Sequence, residues 1–204
     1  MRHARSEGTI TPPPPQKRRA LVDMEFFFAD APAILEIIQL LADYEHESDA
    51  VKATVETLRD TIAFAPSSST GANTSSVPDT EPTSPQKPAR CLLLFAGDGD
   101  QDEKPAGMAL YFYNYSTWRS RPGIYLEDLF VRPEARGRGF GKRLLVELAR
   151  EVVAMRGTRL EWSVLKWNEP SIKFYESIGA QAMNDWVGMR VDGDGLNKLA
   201  NLTD

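Results

Sequence analysis

The 204-residue chain reads as a mixed α/β (α+β) fold, a central sheet of about six to seven strands flanked by about four helices. Three observations predict it. Strand-like and helix-like apolar periods alternate through the second half of the chain. An apolar strand, 124–131, runs directly into a basic, glycine-rich turn that opens a long amphipathic helix. Hydrophobic residues make up 42% of the chain, enough for one substantial core.

Residues 1–19 are polar, basic and proline-rich and are expected to be disordered, with 20–204 forming a single domain. A first strand is placed near Leu21 to Phe28. Ala33 to Tyr44 carries Ile34, Leu35, Ile37, Ile38 and Leu41 at helical spacing, and Val51, Val55, Leu58 and Ile62 mark a second helix. Residues 65–89 are almost all Ser, Thr, Pro, Gly, Asn and charged types. They cannot bury enough apolar area to offset ordering entropy and read as a disordered insertion within the domain. Strands follow at 90–96 and 106–113. Between them Asp98, Asp100 and Asp102 mimic the start of a calcium loop. Its sixth-position glycine is Glu103 and its twelfth-position acid is Ala109, so a solvated hairpin is expected. Next come strand 124–131 and helix 139–156, whose core face is Leu144, Leu145, Leu148, Val152 and Met155. Strand 159–164, with Leu160, Trp162 and Val164 alternating, leads to helix 170–178 and a closing strand pair at 181–183 and 187–191.

Composition removes several functions. A net charge of −5 argues against nucleic-acid binding through bulk charge. Cys91 is the only cysteine, which excludes an intrachain disulfide, and its place in the apolar run Cys91 to Phe95 reads as a buried strand thiol. His3 and His46 are the only histidines, so no metal site is expected. No stretch has the length of a membrane span and the N-terminus lacks the apolar core of a signal peptide. A cytoplasmic location is expected, with a nuclear or organellar address open.

The turn Arg136-Gly137-Arg138-Gly139-Phe140-Gly141-Lys142 is the strongest functional signal. Its glycines let a ligand approach the backbone, and the free amides at the start of a helix favour an anion. Arg136, Arg138, Lys142 and Arg143 add positive charge. A nucleoside-triphosphate P-loop would need Gly-Lys followed by Ser or Thr, but Arg143 follows Lys142. A dinucleotide fingerprint would need a different last glycine interval. What remains, Arg136-x-x-Gly139-x-Gly141, resembles the acetyl-CoA loop of the GNAT N-acetyltransferases.

A second segment supports the resemblance. Asn168, Ser171, Phe174-Tyr175 and Gly179-Ala180 are similar to a late GNAT motif, with Asn168 as a helix cap and Gly179 as a stop. Tyr115-Ser116-Thr117-Trp118, Tyr125 to Val131 and Trp167 to Ser171 resemble the diamine (spermidine/spermine) acetyltransferases, and are closest to the thialysine N-epsilon-acetyltransferase branch. The polyamine branch carries Asp-Pro where Ser116-Thr117 stand here.

The resemblance implies an acetyl-CoA-dependent transfer to a primary amine of a small aliphatic molecule, with a homodimer as the assembly. An alkyl ammonium with a pKa near 10.4 must lose its proton, at about 4–5 kcal/mol at pH 7. A carboxylate in reach of the amine helps, and Glu127 matches the family base, with Asp128 beside it. GNAT folds carry a bulge in this strand, which re-aims its side chains. Tyr175 matches the acid that protonates the leaving thiolate. Cofactor contacts are expected from Leu129, Phe130 and Val131, from Arg136 to Lys142, and from Asn168, Ser171, Phe174 and Tyr175. Substrate contacts are expected from Tyr44, Glu45, Trp118, Glu127, Asp128 and Trp186. Two other readings stay open: acetylation of proteins or peptides, and a CoA-binding regulatory module with little turnover.

Overall fold

The computed structural model describes residues 24–25, 31–64, 80–96 and 104–202. The chain divides after Trp162 into two compact units.

The first unit is a five-stranded sheet in the order β1-β2-β3-β4-β5: β1 (Met24–Glu25), β2 (Ala89–Leu94), β3 (Gly107–Ser116), β4 (Arg121–Val131) and β5 (Leu160–Trp162). The first four strands pair antiparallel, and β5 joins β4 in parallel. The predicted first strand is present as Met24–Glu25, paired with Leu94 and Leu93, and the rest of 21–28 lies outside the described residues. So do residues 1–19, Asp98, Asp100 and Asp102.

Two helices cover one face. Helix α1 (Ala31–Glu45) buries Ala31, Ile34 and Ile37, and α2 (Val55–Thr61) buries Leu58. They close on Cys91, Leu93, Met108, Leu110 and Phe130 of the sheet, so the strand thiol is buried as expected. Helix α1 ends where His46 takes a φ of 64° and the Glu47 amide donates to Ala42 O at 2.9 Å. Helix α2 starts later than the apolar spacing suggests. Thr54 is extended and forms a reciprocal cap with Thr57, which leaves Val51 outside the helix.

Helix α3 (Phe140–Ala154) covers the other face with Leu144, Leu145, Leu148 and Val152. That stripe also contains a carboxylate, Glu151, which is 3% exposed. It accepts from the Tyr111 hydroxyl at 2.7 Å and from the Tyr113 hydroxyl, with Arg90 Nη1 at 3.6 Å. Burial pushes the Glu151 carboxyl up to about 7, against the opposing pull of Tyr111 and Arg90. The Tyr111 hydroxyl is pushed up in turn, chiefly by burial and then by the charge of Glu151. The group thus fastens α3 to β2 and β3 through polar contacts inside an apolar layer.

Residues 65–79 of the expected insertion lie outside the described residues. Residues 80–88 carry an ordered set of contacts: the Glu81 amide donates to Phe64 O at 3.0 Å, and Lys87 Nζ lies 2.6 Å from Glu81 Oε2.

The second unit, from Ser163, holds α4 (Glu169–Ser177) and α5 (Asp194–Ala200). The expected closing strands at 181–183 and 187–191 are a turn and irregular chain instead, so the sheet has five strands, not six or seven, among the described residues. Val187, Met189 and Val191 do alternate, but a strand requires a partner edge, and residues 163–202 supply none. Helix α5 has only two turns and was not legible as a separate period.

Candidate active site

The bulge expected in β4 is present, and its position decides which carboxylate faces which way. β3 and β4 pair Leu110 with Asp128 and Tyr111 with Leu126, which leaves Glu127 as the extra residue. Leu126 pairs with Tyr111, whose hydroxyl reaches Glu151 of α3, so both lie on the α3 face. Beyond the bulge the parity reverses. Asp128 pairs with Leu110 and Phe130 with Met108, both in the cluster under α1 and α2. In a regular strand that kept Glu127 in the alternation, Asp128 would point towards α3.

Glu127 is exposed at the bulge, while Asp128 is partly buried. The Asp128 carboxyl is pushed up to about 6, first by burial, then by the negative charges of Glu127 and of Glu45. Glu45, the last residue of α1, is itself raised by burial and by Glu47. The charges of Glu45 and Glu127 thus both act on Asp128 at the bulge.

β5 ends opposite Leu126, so residues 127–131 of β4 have no strand partner on that edge among the described residues. The backbone of Leu129, Phe130 and Val131 is the part available there. The Phe130 side chain is core, 4% exposed.

The turn after β4 begins with a 3₁₀ segment, Pro133–Ala135, and reaches α3 through Gly137 and Gly139 at φ 74° and 84°. A Cβ at either glycine would meet no atom within 4 Å, so the backbone is open to a ligand. No side chain caps α3, and the amides of Phe140, Gly141 and Lys142 lack helical partners. The arginines behave differently from the sequence expectation. Arg136 Nε donates to Val131 O at 3.0 Å, and its guanidinium lies over the rings of Tyr44 (5.2 Å) and Phe130 (5.5 Å). Arg138 lies over Phe140 at 4.6 Å, and Arg143 pairs with Glu147 at 3.0 Å. Lys142 is exposed, and the Phe140 side chain is buried. The turn therefore offers backbone amides first and cationic side chains second.

Trp118 is not brought to this site. It sits on the β3–β4 turn, 92% exposed, and the six residues from Arg121 to Glu127 put it about 20 Å away along the strand.

In the second unit, Asn168 caps α4 by accepting from the Ser171 amide at 3.3 Å. Gly179 at φ 95° ends the helix, with the Ala180 amide donating to Tyr175 O at 3.1 Å. Phe174 and Tyr175 pack ring to ring at 5.3 Å. Trp186 is 69% exposed in the turn region that replaces the expected strands.

Residues 63–180 match the acetyltransferase (GNAT) family. The chain belongs to that family. A GNAT enzyme is also what the relatives indicate. L-ornithine N5-acetyltransferase NATA1 of Arabidopsis thaliana is 40% identical over 108 residues, 53% of this chain and 47% of that protein, about half its length. The thialysine N-epsilon-acetyltransferase of Bos taurus is 32% identical over 178 residues, covering 84% of this chain and 92% of the relative. Among solved structures, an integron cassette protein of V. cholerae superposes with a TM-score of 0.63 at 25% identity, covering 89% of this chain and 98% of that one. GNAT acetyltransferases use acetyl-CoA, and the turn fits its pyrophosphate: two positive-φ glycines with open space where a Cβ would stand, ahead of an uncapped helix.

Asp128 gives this GNAT site a measurable pH signature. Its folded pKa, about 6, lies above the unfolded value of 3.8. The stability it contributes is therefore full below about pH 4 and is lost as pH rises through about 6. Asp128→Asn should gain about 1–3 kcal/mol over the wild type between pH 4 and pH 8. Urea titrations of both proteins at the two pH values give the difference, and a pH-independent difference would contradict the burial of this carboxyl.

Proposed function

We propose that this GNAT enzyme transfers an acetyl group from acetyl-CoA to the primary amine of a small aliphatic molecule: thialysine, ornithine, a lysine-like amino acid or a short diamine. The observation that carries the reading is Asp128. A carboxylate pushed up by burial and by two neighbouring carboxylates is relieved most directly by a cation, and an alkyl ammonium is a cation of suitable size. The relatives named for thialysine and ornithine acetylation support the same class.

Acetyl-CoA, when bound, supplies the activated acyl group. The loop from Gly137 to Lys142 would hold its pyrophosphate, and the open backbone of Leu129 to Val131 its pantetheine arm. Asp128 and Glu45 would hold the ammonium end of the acceptor, and exposed Glu127 would take its proton at a carboxylate oxygen, directly or through one water. On the family resemblance, the Tyr175 hydroxyl is the proton source for the leaving sulfur. Asn168 and Ser171 serve by capping the helix that carries it.

Chain length should be read as charge. Spermine brings remote ammoniums that each need a carboxylate, and the three carboxylates of this site, Glu45, Glu127 and Asp128, are gathered at the bulge. The kcat/KM values for thialysine, ornithine, putrescine, spermidine, spermine and a lysine peptide test this. The short amines should exceed spermine by about ten- to a hundredfold. A preference for spermine or for the peptide would reject the assignment. A homodimer is part of the proposal, and a monomer mass by light scattering at micromolar concentration would remove it.

A further inference from the structure

The two arginines at the ends of the β4–α3 turn both bind back onto α1. Arg132, 8% exposed, donates from Nε to Pro105 O at 2.8 Å and from Nη1 to Glu36 Oε1 at 3.1 Å. Arg136 donates from Nε to Val131 O at 3.0 Å, with its guanidinium over Tyr44 and Phe130. Glu36 and Tyr44 are two turns apart, about 12 Å along α1. The turn is thereby tied to one helix at two points. The second tie is one residue from Glu45, whose charge acts on Asp128. The glycines that give the turn its freedom, Gly137 and Gly139, begin immediately after Arg136.

We infer that Arg136 is a positioning residue that couples the donor loop to the acceptor end of α1, rather than a phosphate ligand. The inference rests on the reading of the turn as the acetyl-CoA loop. A ligand held on the amides of residues 137–142 pulls the turn towards α3. Arg136 transmits that pull through its stack to the last turn of α1, which carries Tyr44 and Glu45. Donor binding thereby sets the distance between Glu45 and Asp128 that an ammonium must bridge. Coupling of this kind is reciprocal, so the amine must raise donor affinity by the same factor. The Nε bond to Val131 and the contacts with both rings are held together by one planar guanidinium, a combination that the point charge of lysine cannot reproduce.

The experiment is calorimetry with CoA itself, which carries no acetyl group and cannot turn over. Its Kd is measured alone and with saturating putrescine. The wild type should bind CoA at least fivefold more tightly with the amine present. Arg136→Lys should bring that ratio to one, with CoA affinity in the absence of amine changed by less than about threefold. Tyr44→Leu should also remove the ratio, and the double variant should remove no more than either single one. A wild-type ratio of one, or a ratio preserved in Arg136→Lys, overturns the coupling role. A large loss of amine-free CoA affinity in Arg136→Lys would make the residue a ligand instead. Failure of the wild type to bind CoA at all would instead reject the reading of the loop. Arg136 is exposed, so an unchanged melting temperature is the expected check on folding.

Discussion

Tyr175→Phe should lower kcat about 10²-fold while acetyl-CoA affinity changes by less than about threefold. The substitution removes one hydroxyl and leaves the ring contact with Phe174 in place. It also leaves the end of α4 intact, because the backbone carbonyl of Tyr175, not its side chain, accepts the Ala180 amide. A folded variant with normal donor affinity and slow turnover would therefore isolate the proton on that oxygen. Single-turnover kinetics separates this from slow product release. A kcat within twofold of the wild type would take Tyr175 out of the chemistry and leave it as a packing residue.

The second large effect is expected at Gly139, and it needs a control for backbone strain. The residue stands at φ 84°, where a non-glycine side chain is disfavoured by about 1–2 kcal/mol. Asparagine and aspartate share that strain and nearly the same shape, and asparagine tolerates the conformation. Gly139→Asp adds a negative charge beside the pyrophosphate site that Gly139→Asn does not. Acetyl-CoA should bind the Asp variant at least tenfold more weakly than the Asn variant by calorimetry. The gap should narrow as salt screens the repulsion. Equal affinities would mean that no phosphate sits against this turn.

The features that were legible in the chain are those written in local spacing. Gly137, Gly139 and Gly141 announced the turn, and Leu144, Leu145, Leu148 and Val152 announced α3. Asn168 and Gly179 marked both ends of α4 because capping needs only a few consecutive residues. Three kinds of feature escaped. Pairing partners are not local, so the period-2 pattern at Val187 to Val191 was mistaken for a strand. A charge in a core stripe was passed over: Glu151 lies seven residues after Leu144, on the same helix face, and that position could have flagged it. Side-chain direction was the third. Arg136 was counted among charges facing a phosphate, but its guanidinium turns towards Tyr44 and Phe130, as a planar cation next to two rings can.

The bulge has a consequence that side-chain substitution cannot reach. It is a count, not a contact: one residue more on β4 than on β3. Alanine scanning across 124–131 would change what each position carries and leave the count intact, so every variant would keep Asp128 on the α1 side. Only a change in chain length alters it. Removing Glu127 alone would restore strict alternation. Leu126 would stay opposite Tyr111 and Asp128 opposite Leu110, so both would keep their faces and only the bulge carboxylate would be lost. A chain one residue shorter here can therefore keep Asp128 on the α1 side, and chains that differ by one residue at this point are comparable only by register, with the partners of Tyr111 and Leu110 matched first.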